Sequence, residues 1–534
     1  MRFALGALVV VLFSCGGART APGGSEPNDW NVAARIPADT PYAFVVLERP
    51  SEEVLAKMGT IMAANVDSSL ATFEQLATTE PGPGIRALLA LLREMKGKSP
   101  YAWLSSIGFA PSARFALYGL SFWPVLRAEV GNEEEVTRFA RRMLGGLGMD
   151  TQGVRAGSWT LWQAPVNHEY TVIVGVSARD SFASLMPASS IAKALPLLTG
   201  ARLPERSLED ERTLQALRSQ HGYSSFFSGM INLDAAAKLL AGGGSELSRA
   251  LTVGASSWLP KDCASELTRL SALVPRLAMG YQRFDLQGIA ASVVAEMPKD
   301  VMAALARVAA TAPGVTWPDT SDALFDVGTA VDVGGALSLF GELGAAIRTR
   351  PFRCPALEGL NDVGRSLTST AAMPLPPLAS SLRGVRVVVE SAQLDPPSGV
   401  GHVLAVGEHM TTLPFWLRQV PGMGELKLLT DGSATALPLS ELGIPWGGDA
   451  HAALAGERFA VAVGGGSAQR ATTLLATPEP QRSPLLVFGY DIERFQAFMP
   501  SPALANSAMP FKRVAMAMQL VDQGLELAMA ASWR

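Results

Sequence analysis

The chain has 534 residues, of which 48% are hydrophobic and 17% charged, and its formal net charge is −4. This length exceeds one ordinary hydrophobic core, so we expect two or more domains, and the composition excludes a largely disordered chain. The slightly acidic balance and the lack of a Lys/Arg stripe interleaved with aromatic residues argue against a nucleic-acid partner.

The first residues have the pattern of a secretion signal. Arg2 supplies a positive charge, and the apolar residues 3–13 are too few for a permanent membrane span. The segment LFSC, which ends at Cys15, resembles the lipobox of bacterial lipoproteins. The resemblance implies that residues 1–14 are a cleaved signal peptide and that Cys15 carries lipid. Gly16 at the next position then favours the outer membrane, whereas a plain secretory signal would leave Cys15 without a role.

A tether is predicted directly after the signal. Residues 15–35 comprise the lipidated cysteine and a segment rich in Gly, Pro, Ser and Asn with almost no apolar periodicity. A flexible chain of this length has an end-to-end span on the order of 25 Å. We therefore expect it to hold a folded body away from the membrane.

The first folded domain is predicted at residues 36–310. It opens with IPADTPYAFVV, in which residues 42–47 form a buried strand, and a helix begins at Ser51. Local patterns then predict helices at residues 54–76, which continue the helix from Ser51, and at 84–96 and 133–147, together with a strand pair at residues 115–120 and 125–130. Asn132 is the expected N-cap of the third of these helices.

The opening IPADTPYAFVV also resembles that of a poorly characterised class of bacterial envelope proteins. In that class a Pro-Ala-Asp-Thr turn leads into the first strand. The resemblance covers about a dozen residues and implies no known activity.

The second half, residues 323–534, repeats the order of features found in the first. Ser177 and Ser467 each follow a strand and a glycine, and each is predicted to precede a helix. Asp234 and Asp491 each stand between a strand and a helix. Each half closes with a hairpin, whose first strand reads RLAMGYQ in the first half and RVAMAMQ in the second.

These features predict an α+β fold of two homologous halves, each a mostly antiparallel sheet with packed helices. Hairpins mixed with helices, without regular βαβ alternation, favour this class over a parallel sheet. A Pro/Thr/Asp-rich linker is expected at residues 311–322. The alternative to duplication is that Asp and Ser often cap helices, so strand–acid–helix patterns recur by chance.

Two cysteines remain if Cys15 carries lipid. In an oxidising cell envelope the even remainder predicts a disulfide between Cys263 and Cys354. Two separate buried thiols are the alternative. Neither cysteine has a second Cys or a His at ligand spacing, so no metal site is expected.

No catalytic or cofactor motif is recognisable. The GGGS segment at residues 464–467 lacks the second flanking glycine of a nucleophile elbow and the Lys-Ser/Thr of a phosphate loop. We interpret it as the N-cap of a helix, and we attribute the acids at strand ends to capping as well. Catalysis would require His168 or His451 beside a serine and a buried carboxylate. The sequence therefore predicts no enzyme and no cofactor.

Aromatic residues on Pro/Gly-rich loops are the candidate interface residues: Phe415, Trp416, Trp446 and Trp123. Such residues serve as interface anchors or as a membrane-touching lip, or else they cover the ends of a sheet as part of the core.

The predicted function is that of a non-enzymatic outer-membrane lipoprotein that binds or scaffolds another cell-envelope component. Its body faces either the periplasm or the exterior. The alternative is a periplasm-facing carrier for a lipid or another apolar ligand.

Overall fold

The computed structural model describes residues 30–48, 51–79, 83–110, 113–146, 148–252, 261–318, 323–395, 397–419, 421, 423–439, 447–498 and 511–534. The chain divides into two units, the first ending at Val293 and the second beginning at Val294. This division lies N-terminal to the predicted linker at residues 311–322. Within the described ranges, no helix is both long and apolar enough to cross a membrane.

Unit 1 is built on an antiparallel sheet. Its strands are β1 Tyr42–Val46, β2 Phe115–Leu120, β3 Trp123–Glu129, β4 Val154–Ala156, β5 Trp159–Pro165, β6 Tyr170–Val176, β7 Asp180–Pro187, β8 Ser228–Asn232, β9 Arg276–Phe284 and β10 Gly288–Glu296. They lie in the order β4-β5-β6-β7-β3-β2-β1-β8-β9-β10, and neighbours from β4 to β9 are antiparallel. The first strand in sequence therefore lies inside the sheet.

Helices cover the sheet of unit 1. They are α1 Glu52–Thr79, α2 Pro83–Met95, α3 Pro100–Ser106, α4 Glu133–Gly146, α5 Ile191–Leu198, α6 Thr213–His221, α7 Leu233–Leu240, α8 Glu246–Thr252 and α9 Lys261–Ser271. In α4, the buried residues Val136, Ala140 and Leu144 recur every four positions and so form one apolar face. That face packs against Trp162 and Val176 of the sheet.

The strands of unit 2 are antiparallel as well. They are β11 Phe325–Ala330, β12 Leu382–Leu394, β13 Pro397–Gly407, β14 Thr435–Ala436, β15 Ala450–Ala455, β16 Arg458–Val463, β17 Leu486–Asp491, β18 Phe511–Val521 and β19 Gly524–Trp533. They lie in the order β14-β15-β16-β13-β12-β11-β17-β18-β19, with antiparallel neighbours throughout.

The helices of unit 2 include two that are very short. They are α10 Lys299–Ala306, α11 Val333–Thr349, α12 Gly359–Ala371, α13 Pro377–Ser380, α14 Leu413–Leu417, α15 Ser467–Leu475 and α16 Ile492–Phe498. A 3₁₀ turn, Met410–Thr412, leads directly into the five-residue α14. Met410 and Leu413 are buried against Ala452 and Leu454 of β15.

The strands of the two units share one connectivity. β11 pairs with β12 and β17 in the way that β1 pairs with β2 and β8. β13 pairs with β16, and β16 with β15, in the way that β3 pairs with β7, and β7 with β6. The similar segments RLAMGYQ and RVAMAMQ lie in β9 and β18, which hold corresponding positions. The predicted α+β fold is thus confirmed.

The predicted helix after Ser177 is wrong, because a strand follows there. The Ser177 amide and hydroxyl both donate to the carbonyl oxygen of Asp180, at 2.8 and 2.9 Å. This turn sends the chain directly into β7, whose alternating burial is typical of a strand. By connectivity, the counterpart of Ser467 at the start of α15 is Ser190, which precedes α5.

The cysteine prediction is confirmed, since Cys263 and Cys354 are disulfide-bonded. Both residues are fully buried. Cys15 lies outside the described residues, so its predicted lipidation stays a prediction.

A buried charged cluster fixes residues 30–35 to the rest of unit 1. Arg127 of β3 is fully buried and forms an ion pair with Asp180 of β7. Arg35 lies 3.8 Å from the same carboxylate, and Trp30 is also buried. Burial raises the pKa of the Asp180 carboxyl, despite the two guanidinium groups nearby. The last residues of the predicted tether therefore belong to the folded body.

Candidate functional site: an apolar pocket in unit 2

The strongest candidate site is an apolar pocket of about 400 Å³ between α13 and α14. Its lining consists of Pro377, Leu378, His409, Thr412, Phe415 and Trp416. Two of the aromatic residues predicted from the sequence therefore lie at this site, on one short helix. A pocket of this size accepts a side chain or a small apolar group.

The short helix α14 buries one side and exposes the other. Leu413 packs into the core, while Phe415 and Trp416 follow it around the helix and remain 62% and 37% exposed. Their rings meet edge to face, with centroids 5.6 Å apart at an interplanar angle of 82°. Edge-to-face packing is a favourable arrangement of aromatic rings, and Trp is frequent among the hot spots of protein interfaces.

Local backbone geometry fixes the entrance of α14. His409 adopts a left-handed conformation with φ 60°, which is uncommon for a residue with a side chain. The Thr412 amide and hydroxyl donate to the His409 carbonyl oxygen, at 2.9 and 2.8 Å. These hydrogen bonds turn the chain from β13 into the helix. The Thr412 hydroxyl of the pocket wall is thus engaged internally, and most of the surface offered to a ligand is apolar.

The opposite wall comes from a distant part of the chain. Pro377 begins α13, and Leu378 packs against the same core as Leu413. Pro377, Leu378 and His409 were not predicted as site residues from the sequence. The pairing of β12 with β13 brings α13 close to α14, and such long-range pairing leaves no local pattern that could reveal the pocket.

The remaining aromatic candidates differ from this pair. Trp123 is only 5% exposed, and its Nε1 donates to the Leu251 carbonyl oxygen at 2.9 Å, so it belongs to the core of unit 1. A core position was the alternative to an interface role that the sequence left open for these aromatic residues. Trp446 lies outside the described residues.

A histidine–serine contact is present, but it is buried. His451 Nδ1 lies 2.9 Å from Ser467 Oγ, at the start of α15. Ser467 is only 1% exposed, so a substrate has no access to its hydroxyl. No described carboxylate hydrogen-bonds His451, and His168 is 88% exposed at its side chain. The contact therefore fixes α15 on β15, which is a structural role.

The acids at strand ends are explained by local contacts. Asp332 and Asp491 cap α11 and α16 by accepting the amides of Gly335 and Arg494, at 2.9 and 3.0 Å. Asp234 instead pairs with Lys238 on the surface of α7. In the part of the chain that the structure describes, no group of three or more His, Cys, Asp or Glu side chains is placed to hold a metal ion.

Comparisons with known proteins identify no family for the chain. No family model matches it, and neither a curated protein nor a solved structure shows significant similarity. The pocket and the fold around it are therefore the features from which a function is inferred.

Proposed function

We propose that the protein is a non-enzymatic lipoprotein of the outer membrane that binds another component of the cell envelope through the unit 2 pocket. The exposed Phe415–Trp416 pair beside an apolar pocket is the observation that carries this proposal. Localisation rests on the lipobox-like segment that ends at Cys15. A lipid anchor at Cys15 would keep the binding surface within reach of other envelope components.

We infer further that the two halves arose by duplication. Shared sheet connectivity supports this, as does the similarity between the sequences of β9 and β18. A capping position recurs as well: Asn232 after β8 and Asp491 after β17 each accept the amide three residues later. The cap that corresponds to Asp491 is therefore Asn232, and not Asp234 as the sequence suggested.

Duplication supplies an internal template for the partner. In unit 1, α3 and α4 occupy the chain positions of α13 and α14, and they touch directly. Trp103 of α3 meets Phe139 of α4 with ring centroids 6.0 Å apart. In unit 2 the fourteen-residue α4 is replaced by the five-residue α14, and a pocket remains. We propose that a partner supplies an amphipathic helix here, with apolar residues every four positions as in α4.

Site-specific cross-linking in the native envelope tests this proposal. A photoreactive p-benzoylphenylalanine at Thr412 should cross-link one protein, through a peptide with an amphipathic helical pattern. Phe415→Asp should reduce the yield strongly, because loss of a hot-spot aromatic costs about 2 kcal/mol, or about thirtyfold in affinity.

Val363→Asp is the matched control, since Val363 is 48% exposed on α12 of the same unit. It should leave cross-linking unchanged. Cross-links scattered over many proteins, or equal yields from Phe415→Asp and Val363→Asp, would contradict helix binding at this pocket.

The second candidate function is that of a carrier for a lipid or another apolar ligand. The apolar lining of the 400 Å³ pocket favours it. Native mass spectrometry of the exported protein distinguishes the two functions. A bound mass in the acyl-lipid range that is lost in Phe415→Asp would support the carrier, and a bare protein mass would support the partner-binding function.

A further inference from the structure

We propose that a second pocket, in unit 1, binds short apolar peptides with free termini. The pocket has a volume of about 360 Å³ and lies where the Pro-Ala-Asp-Thr turn meets the segments after α5 and before α8. This volume is at the lower end of the range for small-molecule sites. The proposal is independent of the unit 2 pocket.

The walls of this pocket are held by backbone hydrogen bonds. The Ala38 amide donates to the Arg206 carbonyl oxygen at 2.9 Å, and the Leu208 amide donates to the Ile36 carbonyl oxygen at 3.0 Å. Pro37 and Ser207 form an antiparallel bridge between them. The two segments that carry the charged residues of the pocket are therefore fixed relative to each other.

Asp39 is the group that would bind an ammonium ion. Its Oδ2 accepts the Ser245 amide at 2.9 Å, and among the described residues it forms no ion pair. Gly244, the residue before Ser245, has φ 90°, and a Cβ there would lie 2.6 Å from a methyl carbon of Leu239, so this turn favours glycine. A carboxylate that is held in place but lacks a cation is suited to the free amino terminus of a peptide.

Arg202 is the group that would bind the carboxylate terminus. The other guanidinium group in the pocket, that of Arg206, is paired with Glu211. Arg202 makes only a 3.6 Å contact with Glu205, and both side chains are more than half exposed. An exposed pair of this kind contributes little, so Arg202 is free to bind a ligand carboxylate in a bidentate manner.

Apolar residues complete the lining of the pocket. The buried Leu197 and the partly buried Pro204 and Leu247 line it. A ligand that satisfies all three parts carries an ammonium group, an apolar side chain and a carboxylate. A short peptide of apolar residues has this combination.

Isothermal titration calorimetry with L-leucyl-L-leucine tests the proposal. N-acetyl-leucyl-leucine lacks the ammonium group, and leucyl-leucine amide lacks the carboxylate. Each should bind the full chain at least about tenfold more weakly than the parent dipeptide, because a charge-assisted hydrogen bond is lost. The modified ligands test the site without any change to the protein.

Two variants assign the contacts. Asp39→Asn should weaken binding of the parent dipeptide about tenfold and leave the affinity for the acetylated dipeptide unchanged. Arg202→Gln should also weaken binding of the parent dipeptide about tenfold, and it should leave the affinity for leucyl-leucine amide unchanged. Asp300→Asn, an exposed charge in unit 2, is the control and should have no effect. Absence of millimolar binding by leucyl-leucine, or equal binding of the acetylated dipeptide, would overturn the proposal.

Discussion

His402 of β13 is a half-buried imidazole whose surroundings disfavour its protonated form. Its Nδ1 lies 3.9 Å from Glu390 Oε1 and makes no hydrogen bond among the described residues. Burial lowers the pKa of His402, and the nearby Arg386 and Arg470 lower it further, whereas Glu390 opposes the shift. The folded protein therefore keeps this side chain neutral at a pH at which an unfolded chain would protonate it.

This shift predicts a loss of stability in acid. As the pH falls through the unfolded value of about 6.5, the unfolded state binds a proton first, so the free energy of unfolding decreases until the lowered folded pKa is passed. His402→Gln should reduce the difference between the urea midpoints measured above and below this value. His168→Gln is the control, because His168 is exposed. An equal acid dependence in wild type and His402→Gln would contradict the assignment.

At the scale of elements, local signals in the sequence were sufficient for α4 and insufficient for β7. The sequence predicted a helix at residues 133–147 with Asn132 as its cap, and the structure has Glu133–Gly146. The Asn132 side chain accepts the amides of Glu134 and Glu135, at 3.0 and 3.2 Å. After Ser177 the same kind of signal led to the wrong element, because a hairpin turn and a helix cap both use a serine hydroxyl.

Removal of the α4 cap tests its contribution. Asn132→Ala leaves two amide groups without their acceptor, so we expect a loss of about 1 kcal/mol in the free energy of unfolding. Asn132→Asp keeps the acceptor and should be close to wild type. Urea unfolding of the three proteins measures the difference. Equal losses in the Ala and Asp variants would show that the cap does not stabilise the helix.

For the whole molecule, the order of helices and strands along the chain could largely be predicted from the sequence, but the order of strands in the sheet could not. The β2–β3 hairpin, for example, follows from local strand patterns. The insertion of β1 between β2 and β8 depends on long-range pairing, which leaves no local signature. The unit 2 pocket could not be predicted for the same reason, although Phe415 and Trp416 could.

The disulfide should be a main contributor to the stability of the whole chain. It closes a loop of about ninety residues, which in the chain-entropy model corresponds to about 4–5 kcal/mol. The double variant Cys263→Ala/Cys354→Ala should therefore unfold at a much lower urea concentration than the oxidised wild type. A thiol-alkylating reagent should not modify either cysteine in the denatured, unreduced protein, and two additions would contradict the bond.

The packing of Trp30 and Arg35 has a consequence for mechanical load. In a chain anchored at Cys15, as we propose, a pull from the membrane acts on Trp30 and Arg35 before it acts on β1. Such a force has to extract a buried indole and separate Arg35 from the Asp180 carboxylate before it acts on β1. Trp30 and Arg35, and not the sheet that follows them, are thus the first contacts to resist a pulling force from the membrane.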